Sequence, residues 1–191
     1  MVLPLLFGAC SSPQPALQEY ILSPKISVMQ SKRGKYSTKI VKVANIDASD
    51  DLHSHSMFYV EDGIKKFAYA SSEWAEPPLQ FLHKEVMQMV AQTKVFGFVQ
   101  LPNSKVESDF ILETRINDFT QYFEANDTKS YVIVSLSFTL VNSKKHTIVA
   151  SQTFSSKVDV ASLDAEGGVK ALSVALQEVL EKASSYFVGH F

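Results

Sequence analysis

From residue 109 to 160 the chain alternates apolar and polar side chains with a period of two, over a stretch that holds several strands in succession. The pattern is cleanest in the middle, where Val132, Val134, Leu136, Phe138 and Leu140 fall on one face and Ile133, Ser135, Ser137 and Thr139 on the other. A strand of this kind packs one side and leaves the other in water. Upstream, Phe110, Leu112, Thr114 and Ile116 oppose Ile111, Glu113, Arg115 and Asn117; downstream, over 147–158, Ile148, Ala150, Phe154 and Val158 read as the inner side. Residues 142–146 form the turn between the last two strands, which should pair antiparallel. Such a meander cannot stand alone, because its apolar face needs a cover.

Two segments with the helical period supply that cover. Over 77–93, Leu79, Leu82, Val86, Met89 and Thr93 recur at steps of three and four, widened by Val90, and two prolines stand at the start, where a missing N–H costs nothing. Over 165–187, Val169, Leu172, Leu176, Val179, Leu180, Ala183 and Phe187 make one stripe, with Asp164 placed to cap it and Gly167 and Gly168 weakening the first turn. Short strands are expected at 20–22, 39–44 and 94–99, with a loop over 45–56. Asp62-Gly63, between 57–60 and 66–70, is a hairpin turn signal. The expected architecture is α+β, one domain, with an antiparallel β-sheet and two amphipathic helices packed on one of its faces.

The N-terminal residues carry a different message. Leu3, Leu5, Leu6 and Phe7 are followed by the small residues Gly8 and Ala9 and then by Cys10, the chain's one cysteine, in the order of a bacterial lipoprotein cleavage site. Residues 1–9 read as a shortened signal segment that lacks a basic n-region, the alternatives being a start codon further upstream or a trimmed segment. Lipidation of Cys10 is expected, the alternative being an ordinary thiol. Residues 10–19, rich in Ser, Pro and Gln, read as a tether, and 20–191 as the folded domain. Ser11, rather than Asp, beside the cysteine points to the periplasmic side of the outer membrane.

With 18 basic and 20 acidic side chains the chain has no field to recruit nucleic acid. A single cysteine excludes a disulfide framework and a thiolate metal site, and no apolar run is long enough to span a bilayer as a helix. Catalytic motifs are missing: there is no GxSxG elbow, glycine phosphate loop or HExxH. His53 and His55, after Asp50-Asp51, read as a solvated loop rather than a metal site, and His83 and His146 as surface residues. Asp109, Glu113 and Asp118 have no nucleophile beside them, and Glu113 and Arg115 share a strand face where they should compensate each other. Neither an enzymatic role nor a cofactor is expected. Aromatic residues gather between the hairpin and the meander; beyond core packing, Phe58, Tyr59, Phe67 and Tyr69 are candidate contacts for a partner or for lipid.

The run from Phe67 through Trp74-Ala-Glu-Pro77-Pro to Leu79, preceded by Phe58-Tyr59 and leading directly into a helix, resembles the signature of the ABC-type transport auxiliary lipoproteins. Tyr20 and Leu22 after the anchor, and the strand 40–43, resemble the family's opening. The resemblance extends to the lipoprotein component of paraquat-inducible Pqi and other MCE-type systems. It implies an outer-membrane lipoprotein, able to form a homo-oligomer, that docks a periplasmic MCE-domain protein and through it an inner-membrane permease and ATPase moving phospholipid or other hydrophobic molecules. The alternative is a stand-alone lipoprotein that binds lipid or glycan itself. By position in the motif, Trp74 and Pro77 would be structural, fixing the corner from hairpin to helix.

Overall fold

The computed structural model describes residues 16–32, 34–125 and 128–191; Cys10 and the signal segment lie outside them. Its spine is the long strand predicted first. In chain order the elements are β1 (Gln18–Tyr20), β2 (Ile40–Val43), β3 (Ser56–Glu61), β4 (Lys65–Trp74), α1 (Pro78–Thr93), β5 (Phe98–Gln100), β6 (Phe110–Phe123), β7 (Ser130–Asn142), β8 (Thr147–Asp159) and α2 (Ala165–His190). β7 pairs antiparallel along the whole of β6, and β8 along the whole of β7. The other edge of β6 is shared. Its first residues pair with β2 and its last with β3, both in parallel.

The sheet is therefore mixed, not purely antiparallel as expected from the sequence. β2 also pairs parallel with β5, and β1 parallel with β4, while β3 and β4 form the antiparallel hairpin. Alternation in a sequence reports which face of a strand is buried; it carries no information on a neighbour's direction. Here the loop from β2 to β3 returns the chain to the same edge of β6 in the same sense. The hairpin and α1 then form the crossover that sets β5 beside β2.

One face of the sheet is dry. Val41, Val43, Leu112, Val132, Val134, Leu136 and Leu140 are buried there beneath Leu82, Val86, Val90, Leu176, Val179 and Leu180 of the two helices. The helical stripes land as patterned, and Asp164 caps α2 by accepting the Gly167 N–H at 2.8 Å. α1 ends at Thr93, and the residue that caps it, Lys94, takes a left-handed conformation (φ 55°).

Three expectations shift for local reasons. A β-bulge at Asn117 adds one residue to β6, so that Phe119, Gln121 and Phe123 continue the buried face begun by Ile116 and the strand runs six residues further than its first alternation. A second irregularity, at Val149, sets Ile148 opposite Val141 on the outer face, and Ile148 is 68% exposed instead of inward. At the N-terminus β1 begins at Gln18, inside the expected tether, and ends at Tyr20. Residues 21–31 then leave the sheet as an extended strap along α2. The N–H groups of Ser23, Lys25, Ser27 and Met29 donate in turn to the side chains of Ser173, Gln177, Glu181 and Ser184, and Ser31 donates to the Thr93 carbonyl.

Candidate functional site

The hairpin β3–β4 carries the four aromatic residues singled out in the sequence, and its register decides which of them meet. Tyr59 stands opposite Phe67, with ring centroids 5.7 Å apart, and lies 4.6 Å from Tyr69 and 5.3 Å from Phe123. Phe58 points to the opposite face. There the Lys66 ammonium sits 4.9 Å from its ring centroid while pairing with Asp51. Burial works to raise the Asp51 carboxyl, but hydrogen bonds from Lys66 and Ser49 outweigh it and hold the group below the ordinary carboxylate range. Three of the four aromatics thus form one cluster, and the fourth belongs to a separate cation–π contact.

Beneath the cluster lies a polar hub that the sequence did not single out. The Tyr69 hydroxyl donates to Gln121 Oε1 at 3.0 Å, and Gln121 Nε2 donates to Ser130 Oγ at 3.0 Å and to the Asp164 carbonyl at 3.4 Å. Burial, reinforced by Tyr59 and Asp164, raises the Tyr69 hydroxyl far above the ordinary tyrosine range, so it remains a neutral donor. Gly168, in the first turn of α2, is pressed against the same glutamine; a Cβ there would come within 1.9 Å of Gln121 Oε1. The glycine that looked like a weak helix start is the condition for seating α2 on the hub.

Trp74 ends β4 and is buried against Phe119, its ring centroid 6.4 Å away. Its backbone N–H donates to the His55 carbonyl at 2.7 Å, and His55 Nδ1 meets the Trp74 carbonyl at 2.7 Å. Pro77 is the residue before α1, buried, and its carbonyl accepts the Gln80 N–H at 3.0 Å. These contacts lock the corner between hairpin and helix.

The remaining titratable candidates disperse. Arg115 does not turn to Glu113: its Nε pairs with Asp47 Oδ2 at 2.7 Å, because the loop before β3 is stitched to β6 by a bridge at these two residues. Asp109 accepts the Ile40 N–H at 3.0 Å, which, with Lys39 nearby, lowers its carboxyl. Asp118 is raised by burial and accepts the Tyr122 hydroxyl at 2.9 Å. Among the described residues, no three His, Cys, Asp or Glu side chains come together as metal ligands. The outer face of β6–β8 is a lattice of hydroxyls, with Ser137 on Thr153 at 2.7 Å and Thr139 on Ser151 at 2.8 Å, beside an open basin of about 440 Å³. This arrangement offers binding surfaces, and the hydroxyls of Ser137, Thr139, Ser151 and Thr153 are engaged with one another.

A sequence model of the family described as the ABC-type transport auxiliary lipoprotein component matches residues 20–183. No functionally curated protein matches the sequence. Among solved structures, a protein from Xanthomonas campestris is similar with 20% identity and a TM-score of 0.72, covering 87% of this chain and 94% of its own. A hypothetical protein from Chlamydia trachomatis shares the fold at 8% identity and a TM-score of 0.52, over 80% and 97% of the two chains.

Proposed function

The chain belongs to the ABC-type transport auxiliary lipoprotein component family, and on that premise we propose that it is a non-catalytic docking subunit, held by a lipid on Cys10 at the periplasmic side of the outer membrane. The family assignment, spanning nearly the whole folded domain, is the observation that carries the reading. Its members are lipoproteins, so the chain is a membrane-anchored protein of the cell envelope. The finer proposal names the partner: a periplasmic MCE-domain protein joined to an inner-membrane permease and ATPase, in a system that moves phospholipid or another hydrophobic molecule between the membranes. ATP hydrolysis belongs to the other subunits. The side chains of the domain support this role, since Asp109 is tied to the Ile40 N–H and to Lys39, and Asp118 to the Tyr122 hydroxyl.

Capture from a detergent extract of the native envelope, with the full chain as bait, tests the proposal. An MCE-domain protein should be retained and identified by mass spectrometry. Recovery of co-purified lipid with no protein partner would instead support a stand-alone carrier and overturn the docking role.

A further inference from the structure

The turn of the β3–β4 hairpin presents an isoleucine to solvent at a position where turns ordinarily place a polar residue. Asp62 and Gly63 both take positive φ (53° and 70°), and the Ile64 N–H closes the turn on the Glu61 carbonyl at 3.1 Å. The Asp62 N–H donates to the Phe123 carbonyl at 3.2 Å, fastening the tip to the end of β6. Because Glu61 stands opposite Lys65, Ile64 has no cross-strand partner, and it is 85% exposed. One exposed aliphatic residue means little. Here it has company: Phe67, three residues along β4, is 41% exposed, and Leu163 is 48% exposed just before Asp164, whose carbonyl meets the hub beneath Tyr69. Leu17, 57% exposed, is the fourth.

The place where the chain enters the domain bears on what these residues can face. β1 runs parallel to β4 with Gln18 opposite Ser72, so at Leu17 the backbone points back along β4 toward Phe67 and the tip. From Ser72 to Lys65 is seven residues, about 23 Å of strand. From Leu17 to Cys10 is also seven residues, a reach of at most about 25 Å. A bilayer holding a lipid on Cys10 can thus come within reach of the hairpin tip. We infer that Ile64, with Phe67 and Leu17 behind it, inserts into the interface of the bilayer that carries the anchor and fixes the orientation of the domain on the membrane. This rests on the Cys10 anchor proposed above. The contact is apolar: Glu61, Asp62, Lys65 and Lys66 sum to zero charge, with Lys65 paired to Asp62 at 3.1 Å and Lys66 to Asp51.

The test is Ile64→Trp in the full lipidated chain, purified from membranes and reconstituted into phosphatidylethanolamine–phosphatidylglycerol or pure phosphatidylcholine vesicles, with or without bromine on the acyl chains. Buried Trp74 sets the background, which the parent chain measures. The fluorescence of the added indole should fall about two-fold or more in brominated vesicles of either composition, as expected for a side chain at the headgroup–acyl boundary. Flotation of the protein with vesicles but no quenching overturns the insertion while leaving the anchor intact. Quenching confined to anionic vesicles overturns the apolar contact. Failure of the parent chain to float overturns the anchor, and the insertion with it.

Discussion

Gln121 shows how much one side chain can organise. It joins β6 to the hairpin through Tyr69, to β7 through Ser130 and to the start of α2 through the Asp164 carbonyl, so the surrounding residues are constrained in size as well as polarity. Gly168→Ala should destabilise the domain by about 1–3 kcal/mol, because the new methyl displaces a buried, fully bonded amide; the roughly 1 kcal/mol that alanine normally adds to a helix does not offset this. Denaturant unfolding checks it, with an unchanged or raised midpoint as the contrary result. Asp164 carries a pH signature. Its carboxyl is lowered first by the Gly167 N–H and then by Ser162, so the charged form is favoured in the folded state. Its stabilising contribution is complete above the ordinary Asp pKa, near pH 4, and is lost as the pH falls through the lower folded value. Asp164→Ala should therefore cost about 1 kcal/mol at neutral pH, and unfolding curves of variant and parent should converge in acid.

The strap, at the scale of elements, is the part most open to a direct test. Replacing both Gln177 and Glu181 with alanine removes the acceptors of the Lys25 and Ser27 amides while leaving the core stripe of α2 untouched. Exchange of those two amides should accelerate about ten-fold or more, with little change in the global unfolding midpoint, since short extended segments open by local fluctuation; equal slowing or acceleration across the domain would show that the strap unfolds only with the whole. Elements that bury a continuous stripe, namely α1, α2 and β7, were legible in the sequence because one face of each is answered by one core. The two bulges were not, since Asn117 and Val149 are ordinary residues whose extra register step arises from the neighbouring strand. Nor was the parallel placement of β2 and β3, which depends on where a loop sets the chain down. The aromatic cluster was half legible: the residue types marked the hairpin and alternation sets Phe58 and Tyr59 on opposite faces, but only the register brings Tyr59, and not Phe58, to Phe67 and Tyr69, and nothing in the local pattern identifies Gln121 as the centre.

For the whole molecule, the folded domain and its attachment should be separable. Cys10→Ser should leave the unfolding free energy of the domain unchanged within about 0.5 kcal/mol, as expected for a substitution in the segment ahead of the folded domain, and move the protein from the membrane to the soluble fraction on fractionation; retention on membranes would point to attachment through the protein surface. The route by which tether joins domain has a mechanical consequence. On the Cys10 anchor proposed above, a pull from the bilayer reaches the described domain through β1, whose bonds to β4 lie across the axis of the strand. Bonds loaded in this direction share the pull and must give way together, whereas a strand peeled from its end would lose them one at a time. The leash is joined to its load by an overlap splice, and the domain can be tugged without being unzipped.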